Sequence, residues 1–205
     1  MARKKRNPPV QRRIPTQERA HFTVSVILET AAMILRADGR AAFTTNKLAE
    51  RAGISIGTLY GYFPNKDAIY IALARQLVEQ DAAALTAVLN EGHAGETLRH
   101  LLRTLFERHH EDRYVRRTVM SIYIAEGFGA EHEIHVEAMI KALIARRELF
   151  DGRDVPPISA ARLFAVSRAI LGIARAFVEQ ADVGRFSLRQ VEDEAIDLIR
   201  AYVLQ

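Results

Sequence analysis

Apolar residues recur along this chain at the three- and four-residue spacing of α-helices, and no stretch shows the strict alternation of a β-strand. The spacing predicts a first helix over about 16–37, with Val24, Ile27 and Ile34 on its buried face. Two short helices follow between residues 44 and 63, and six more are predicted over about 66–90, 98–106, 114–128, 134–150, 159–181 and 187–203. The expected fold class is therefore all-α, with about nine helices.

Glycine, proline and capping residues mark where these helices end. Gly127 and Gly129 should end the helix that precedes them. The clearest loop is the Gly- and Pro-containing segment over 151–157. At the start of the last helix, Ser187 and Gln190 stand three residues apart and predict a capping box.

The most informative segment covers 44–70, TTNKLAERAGISIGTLYGYFPNKDAIY, where two short helices meet at a tight turn. Thr44 or Thr45 can cap the first of them by accepting a hydrogen bond from a free backbone N–H. Gly53 should end that helix, because glycine adopts a left-handed backbone at the least cost. Ser55 can then cap the second helix.

The second short helix should turn Leu59 and Phe63 inward, since residues four apart share one helical face. The residues left facing outward are Gly57, Thr58, Tyr60, Gly61 and Tyr62. A face of hydroxyls and glycines, without Lys or Glu, suits close approach to a polar, anionic surface. Two helices joined by a short glycine-containing turn form the helix-turn-helix, whose second helix enters the major groove of DNA.

These residues resemble the TetR (tetracycline-repressor-like) family of transcriptional regulators. The motifs TT, LAERAGIS, GTLY and YF, followed by Lys66, carry the resemblance. It covers about 17–77 closely and the rest of the chain by helical layout alone. It implies an N-terminal three-helix DNA-binding domain over 16–70 and a C-terminal helical domain for ligand binding and dimerisation over 71–205.

The resemblance also implies which residues contact a double-stranded DNA operator. Four would contact the DNA backbone: Tyr60, Tyr62, Lys66 and, as the capping threonine, Thr45. The candidates for base readout are Asn46, Ser55, Ile56, Gly57 and Thr58. Asparagine can make a bidentate contact to adenine, and isoleucine or the threonine methyl group can meet a thymine methyl.

Ordinary structural roles remain open for three of these residues. Lys66 could be a surface lysine, although a helix N-terminus disfavours a cation unless the lysine and the free amides hold one phosphate together. Tyr60 and Tyr62 could be core residues. Because they are spaced i, i+2, both cannot face one core, and at least one hydroxyl should point outward.

Charge is unevenly distributed along the chain. Up to Tyr70 there are 12 Lys and Arg against 5 Asp and Glu, and beyond it 17 against 20. A basic first third suggests that this end of the chain meets a polyanion. The arm over 1–15 is basic, has no acid and contains Pro8, Pro9 and Pro15, so we expect it to be disordered or extended. It is either a solubilising tail or an arm that follows phosphates or enters a minor groove.

Composition excludes several classes of protein. The 205 residues include no cysteine, so a disulfide framework, a thiol nucleophile and a cysteine-based zinc site are excluded. No run of about 18 apolar residues predicts a membrane span, and no apolar signal segment follows the basic start, which favours the cytoplasm. Without a nucleophile paired with a base or a phosphate-binding glycine loop, we expect no enzyme activity and no cofactor.

By resemblance, the last two predicted helices should form the seam of a homodimer. On the first of them, a stripe of small residues comprises Ala165, Ala169, Gly172 and Ala176. Gly172 costs about 1 kcal/mol relative to alanine inside a helix, and such a glycine usually permits close helix approach. On the last helix, the four-helix bundle would be completed by Ile196, Ile199 and Val203. Packing within one protomer is the alternative for these residues.

The resemblance further implies a small-molecule effector among the middle helices. The residues expected to surround it are Phe106, His110, Met120, Tyr123, Met139, Leu143, Phe164 and Arg168. Met and aromatic residues at helical spacing more often form core than pocket, so that alternative stays open. His132 and His135 supply at most two metal ligands on one helical face, and a tetrahedral site needs more, so no metal site is expected.

The sequence therefore predicts a homodimeric, ligand-responsive transcriptional regulator. It would bind a near-palindromic operator and act as a repressor that a small molecule releases. The alternatives are an all-helical small-molecule enzyme or metal-binding protein, and a protein that coats DNA through charge alone.

Overall fold

The computed structural model describes residues 18–91, 96–179 and 186–204, and within these ranges every regular element is helical. The α-helices of the described ranges are α1 (Glu18–Asp38), α2 (Thr45–Arg51), α3 (Ile56–Tyr62), α4 (Lys66–Glu91), α5 (Thr97–Glu111), α6 (Arg113–Tyr123), α7 (Gly129–Ile144), α8 (Ala160–Glu179) and α9 (Leu188–Val203). A π-helical turn covers Ile124–Phe128, and a 3-10 turn covers Arg147–Phe150. The all-α prediction is confirmed; the basic arm over 1–15 lies outside the described residues.

The junction between α6 and α7 differs from the prediction. Gly127 has a φ angle of 95°, which kinks the chain inside the turn Ile124–Phe128. Gly129 has a helical φ of −57° and begins α7 instead of ending the helix before it. The prediction of one helix over 134–150 is therefore corrected, because α7 begins earlier and ends at Ile144.

Two predicted helix caps are confirmed. The Ser55 side chain accepts a hydrogen bond from the Thr58 backbone N–H at 3.0 Å, which starts α3. At α9 the Gln190 N–H donates to Ser187 Oγ at 3.3 Å, and the Ser187 N–H donates to Gln190 Oε1 at 2.8 Å. This reciprocal pair is the predicted capping box.

The described chain divides into two compact units. The first combines the described residues up to Val78 with Tyr114–Gly129, and the second combines Glu79–Arg113 with the described residues from Ala130 onward. α4 therefore contributes residues to both units, and α6 belongs with the helix-turn-helix. A functional boundary near residue 70 stays a prediction.

In the first unit, α1 packs its apolar side inward. Ile27, Ala31 and Ile34 are fully buried and belong to the same apolar cluster as Val119 of α6. By length and composition Arg19–Asp38 could cross a membrane, but a buried core helix meets the same criterion. Burial of these residues in the core accounts for the apolar character of α1.

In the second unit, one buried charge lies beside an apolar core built by α5, α7, α8 and α9. Glu192 of α9 is 0% exposed. Its carboxylate accepts two hydrogen bonds from the Arg103 guanidinium, both 2.8 Å long, and Arg99 lies 3.4 Å away. Hydrogen bonding to Glu192 raises the pKa of Arg103, and hydrogen bonding to Asp193 raises that of Arg99. These pairs connect α5 to α9.

We predict that Glu192→Gln lowers the free energy of unfolding by about 2 kcal/mol, because an amide cannot accept both charged hydrogen bonds of Arg103. The matched control is Glu194→Gln, at an exposed position of the same helix, which should change stability by less than about 0.5 kcal/mol. Urea denaturation at one fixed protein concentration measures both. Equal midpoints for the two variants would show that the buried pair contributes no net stability.

Candidate nucleic-acid interface

The segment between Thr44 and Phe63 forms a helix-turn-helix in the described structure. The Lys47 N–H donates to Thr44 Oγ1 at 3.2 Å and so caps α2. Gly53 then takes a φ of 65°, a left-handed conformation that lets the chain turn sharply into α3. Leu59 is fully buried and Phe63 is 1% exposed, so α3 is held by its inward face.

Thr45 does not have the capping role that the resemblance implied. Thr44 is the N-cap, and Thr45 is the first residue of α2. The Thr45 hydroxyl instead lies 3.2 Å from the hydroxyl of Tyr60 on α3. Capping requires extended backbone, which Thr44 has and a helical residue lacks. The Thr45–Tyr60 pair therefore presents two hydroxyl groups side by side on the outer surface.

The outward face of α3 is polar but uncharged. Ile56 and Tyr60 are 38% and 41% exposed, and Gly57 and Thr58 are also exposed. The Thr58 hydroxyl lies 2.8 Å from the Ser55 hydroxyl. Because a hydroxyl both donates and accepts, each keeps capacity for a partner outside the protein.

Gly57 is not required by packing within the protein. A Cβ atom there would meet only Ser55 Oγ, at an ordinary 3.7 Å. Glycine in a helix costs about 1 kcal/mol relative to alanine. The position therefore keeps open space on the outer face of α3, next to Thr58.

The two tyrosines of α3 have different surroundings, so a core role and an outward-facing role can be weighed for each of them separately. Tyr60 is on the exposed face, whereas Tyr62 is half-buried and packs against the apolar core of the first unit. The expectation that both cannot face one core agrees with this arrangement. A contact of Tyr62 with DNA stays a prediction.

Lys66 is the first residue of α4, where free backbone N–H groups favour an anion. The preceding Asn65 accepts a hydrogen bond from the Ala68 N–H at 2.9 Å and caps this helix. The Lys66 ammonium lies 6.0 Å from the centre of the Tyr70 ring. The N-terminus of α4 thus combines free backbone N–H groups with the Lys66 cation, an arrangement that suits a phosphate.

Two other basic residues near the helix-turn-helix are paired with an acid. Lys47 and Arg51 of α2 lie 3.1 and 2.8 Å from the carboxylate of Asp38. Hydrogen bonding from Lys47 lowers the pKa of Asp38, and the charge of Arg51 lowers it further. Asn46 is exposed at the second position of α2. The Asp38 carboxylate therefore compensates one of the two positive charges that Lys47 and Arg51 carry.

The predicted effector residues do not form one group. Met139 and Leu143 line one cavity in the second unit. Met120 and Tyr123 instead pack in the apolar cluster of the first unit. The tyrosine ring stacks on Phe128 at 5.1 Å, so the ordinary core role that was left open describes these two residues.

The other four predicted effector residues are also dispersed within the second unit. Phe106 is buried in a small separate cluster, whereas His110 and Phe164 are exposed. Arg168 lies 3.3 Å from the Glu133 carboxylate and 5.1 Å from the centre of the Phe164 ring. None of these four lines the cavity.

The cavity itself is lined only by apolar side chains and has a volume of about 60 Å³. Helix α5 contributes Leu98, Leu101, Leu102 and Leu105 to this lining. Pockets for drug-sized ligands usually have about 300–1,000 Å³. A ligand of that size could enter only if the surrounding helices moved apart.

The histidines of α7 lie in a charged region of the second unit. His132 is partly buried, and this burial lowers its pKa, as does the nearby charge of Arg168. Among the described residues, no group of three or more His, Asp or Glu side chains could hold a metal ion.

Comparisons with known proteins give a family match for the helix-turn-helix region and a shared fold for most of the chain. Residues 27–73 match the family model of bacterial regulatory proteins of the tetR family. A TetR transcription regulator from Haloarcula marismortui ATCC 43049 shares the fold with a TM-score of 0.64 at 20% identity, over 89% of this chain and 97% of that chain. A TetR family transcription regulator from Marinobacter aquaeolei VT8 gives 0.60 at 21% identity, over 91% and 97%.

A TetR-family transcriptional regulator from Streptomyces coelicolor is 25% identical, with a TM-score of 0.56 over 88% of this chain and 96% of that chain. No curated protein sequence matches the chain significantly. The similarity thus extends over nearly the whole length of these solved structures, although the family model covers only the helix-turn-helix region.

We predict that Thr44→Ala lowers the free energy of unfolding by about 1 kcal/mol, because the free N–H of Lys47 loses its cap. Thr45→Ala should be less destabilising, since it removes only an exposed hydroxyl pair with Tyr60. Urea denaturation of both variants measures the difference. A larger loss for Thr45→Ala would reverse the assignment of the cap.

Proposed function

We propose that this chain, whose resemblance to TetR-family transcriptional regulators is confirmed by the family match and the shared fold, is a ligand-responsive repressor. It binds an operator as a homodimer and is released by a small molecule. The observation that supports DNA binding most directly is the neutral outer face of α3 beside the cation and free amides at the start of α4. We infer a cytoplasmic location from this role.

In this proposal α3 enters the major groove and α4 anchors the DNA backbone. Ile56, Gly57 and Thr58 face the base edges, since they are exposed and adjacent on α3. Lys66 and the free amides of α4 hold one phosphate, while the Thr45–Tyr60 hydroxyl pair contacts a neighbouring one. Phosphate contacts fix the register, and the α3 face reads the sequence.

We propose a homodimer seam that differs in detail from the sequence prediction. Ile196, Ile199 and Val203 are buried in the core of their own unit, so they cannot complete an intermolecular bundle. Among the described side chains of α8 and α9, the large apolar residues that stay exposed are Phe164, Leu198 and Tyr202. We propose that these residues form the seam together with Gly172, around which nothing lies within 4 Å of a Cβ position.

The effector is proposed to be largely apolar. The cavity in the second unit presents no polar lining residue, so it would favour a hydrocarbon portion of the ligand over a charged group. Its volume of about 60 Å³ requires that the ligand widen the unit as it binds. Widening couples binding to a change of conformation, and a difference of about 1–3 kcal/mol between two states suffices to release DNA measurably.

A protein that coats DNA by charge alone is the main alternative to a regulator. The two functions predict different effects of a substitution at Thr58, because the Thr58 side chain carries no charge. A regulator with Thr58→Ala should lose operator preference, whereas a coating protein should bind all sequences as before. No feature of the described residues favours the enzyme or metal-binding alternative.

We predict that Lys66→Ala weakens binding to every DNA sequence alike and reduces the slope of log affinity against log salt by about one, because one phosphate contact is lost. Lys141→Ala is the matched control: it removes the same charge from an exposed position of α7 in the second unit. Fluorescence anisotropy at several salt concentrations measures both variants. A folded Lys66→Ala protein with unchanged affinity and slope would remove this assignment.

We predict a dimer at tens of micromolar and a monomer after Gly172→Leu. The leucine has room within one protomer, and replacing a helical glycine should even stabilise α8 by about 1 kcal/mol. Loss of the dimer would therefore result from a clash between the leucine and the second protomer. Ala138→Leu, which adds bulk at an exposed position of α7, serves as the control. Light scattering decides: a monomeric parent protein, or a dimeric Gly172→Leu variant, contradicts the seam.

A further inference from the structure

The chain crosses between the two compact units at three peptide bonds. One crossing lies next to Tyr114, whose side chain contacts the corner between α1 and α2. The crossings are Val78–Glu79 within α4, Arg113–Tyr114 at the start of α6 and Gly129–Ala130 at the start of α7. Tyr114 is thus the first residue of the segment that returns to the first unit.

The hydroxyl of Tyr114 contacts the corner between α1 and α2. The backbone N–H of Arg40 donates to Tyr114 Oη at 3.0 Å, although the two residues are 74 positions apart. A Cβ atom on the neighbouring Gly39 would lie only 3.1 Å from the same oxygen. The φ of Gly39 is 71°, so both its conformation and this close approach favour glycine.

This corner leads directly into α2. The Gly39 N–H donates to the Leu35 carbonyl at 3.1 Å, and the Phe43 N–H donates to the Arg40 carbonyl at 3.3 Å. Thr44, the cap of α2, follows at once. A shift of the Arg40 backbone would therefore move the start of α2 and, through the short turn at Gly53, the position of α3.

α6 makes two kinds of contact within the first unit. Val115 and Val119 are fully buried in the apolar cluster, and such packing has no strong directional preference. The Tyr114 hydrogen bond is directional, because it needs one distance and one angle. Among the described contacts of α6, this one fixes the backbone of the α1–α2 corner at a defined point.

We propose that Tyr114 is a positioning residue for DNA binding: its hydroxyl holds the α1–α2 corner, from which the chain enters α2. This inference rests on the proposed function as a DNA-binding regulator. Tyr114 need not contact DNA in this role. It acts through the backbone of Gly39 and Arg40.

The test compares Tyr114→Phe with Tyr70→Phe in the full chain. Each change removes one hydroxyl from the first unit, but the Tyr70 hydroxyl is buried and has no hydrogen-bond partner among the described residues. Tyr114→Phe should reduce operator affinity by roughly threefold to tenfold, as expected for the loss of one hydrogen bond. Its salt slope should stay unchanged, and amide hydrogen exchange at Arg40 should accelerate. Tyr70→Phe should bind the operator like the parent protein.

The outcomes separate this inference from the proposed function. Parent-like affinity and Arg40 exchange in Tyr114→Phe, with a parent protein that prefers its operator, would overturn the positioning role alone. A reduced salt slope would show direct phosphate contact and would also overturn it. So would an affinity loss accounted for by unfolding of the variant in urea denaturation. A parent protein that shows no sequence preference would overturn the proposed function and this inference together.

Discussion

The orientation of α3 depends on the burial of Leu59 and Phe63, which lie one helical turn apart. With seven residues, α3 is too short to be stable in isolation, so its contacts with the core of the first unit hold it in place. Once these two side chains are inside, Ile56 and Tyr60 must face outward. The packing that stabilises the unit therefore also determines which residues a DNA groove would meet.

The charged side chains of the first unit lie outside α3, whose outer face is uncharged. Asp38 pairs with Lys47 and Arg51, and the outer face of α3 carries no charge, so strong electrostatic attraction is concentrated elsewhere. Lys66 stands at the amide-rich start of α4, where an anion is favoured. In the proposed function, the weakly polar face of α3 would read the sequence and Lys66 would hold a phosphate, a division suited to a protein that discriminates between sequences. The same helix α4 continues into the second unit, where the apolar cavity lies.

Local signals in the sequence predicted the helices and the cap at Ser55, because both depend on neighbouring residues. The cap of α2 was left open between Thr44 and Thr45, since a shift of one residue changes no local pattern and only the backbone conformation decides. The inward packing of Ile199 was beyond the sequence, because an apolar stripe on a helix does not reveal which neighbour it meets. The contact of Tyr114 with a backbone 74 residues away has no sequence signal at all. The cavity was missed for a related reason: leucines at helical spacing predict a core, and a gap in that core depends on how the helices pack.

Selection of bound duplexes from a random pool, with the parent protein at physiological salt, tests the central claim most directly. The claim is that α3 reads sequence in a symmetric pair of major grooves. It predicts enrichment of one near-palindromic sequence whose half-sites are separated by about one or more helical turns, roughly 34–36 Å for one turn. Recovery of all sequences alike, with an affinity that varies only with salt, would contradict it.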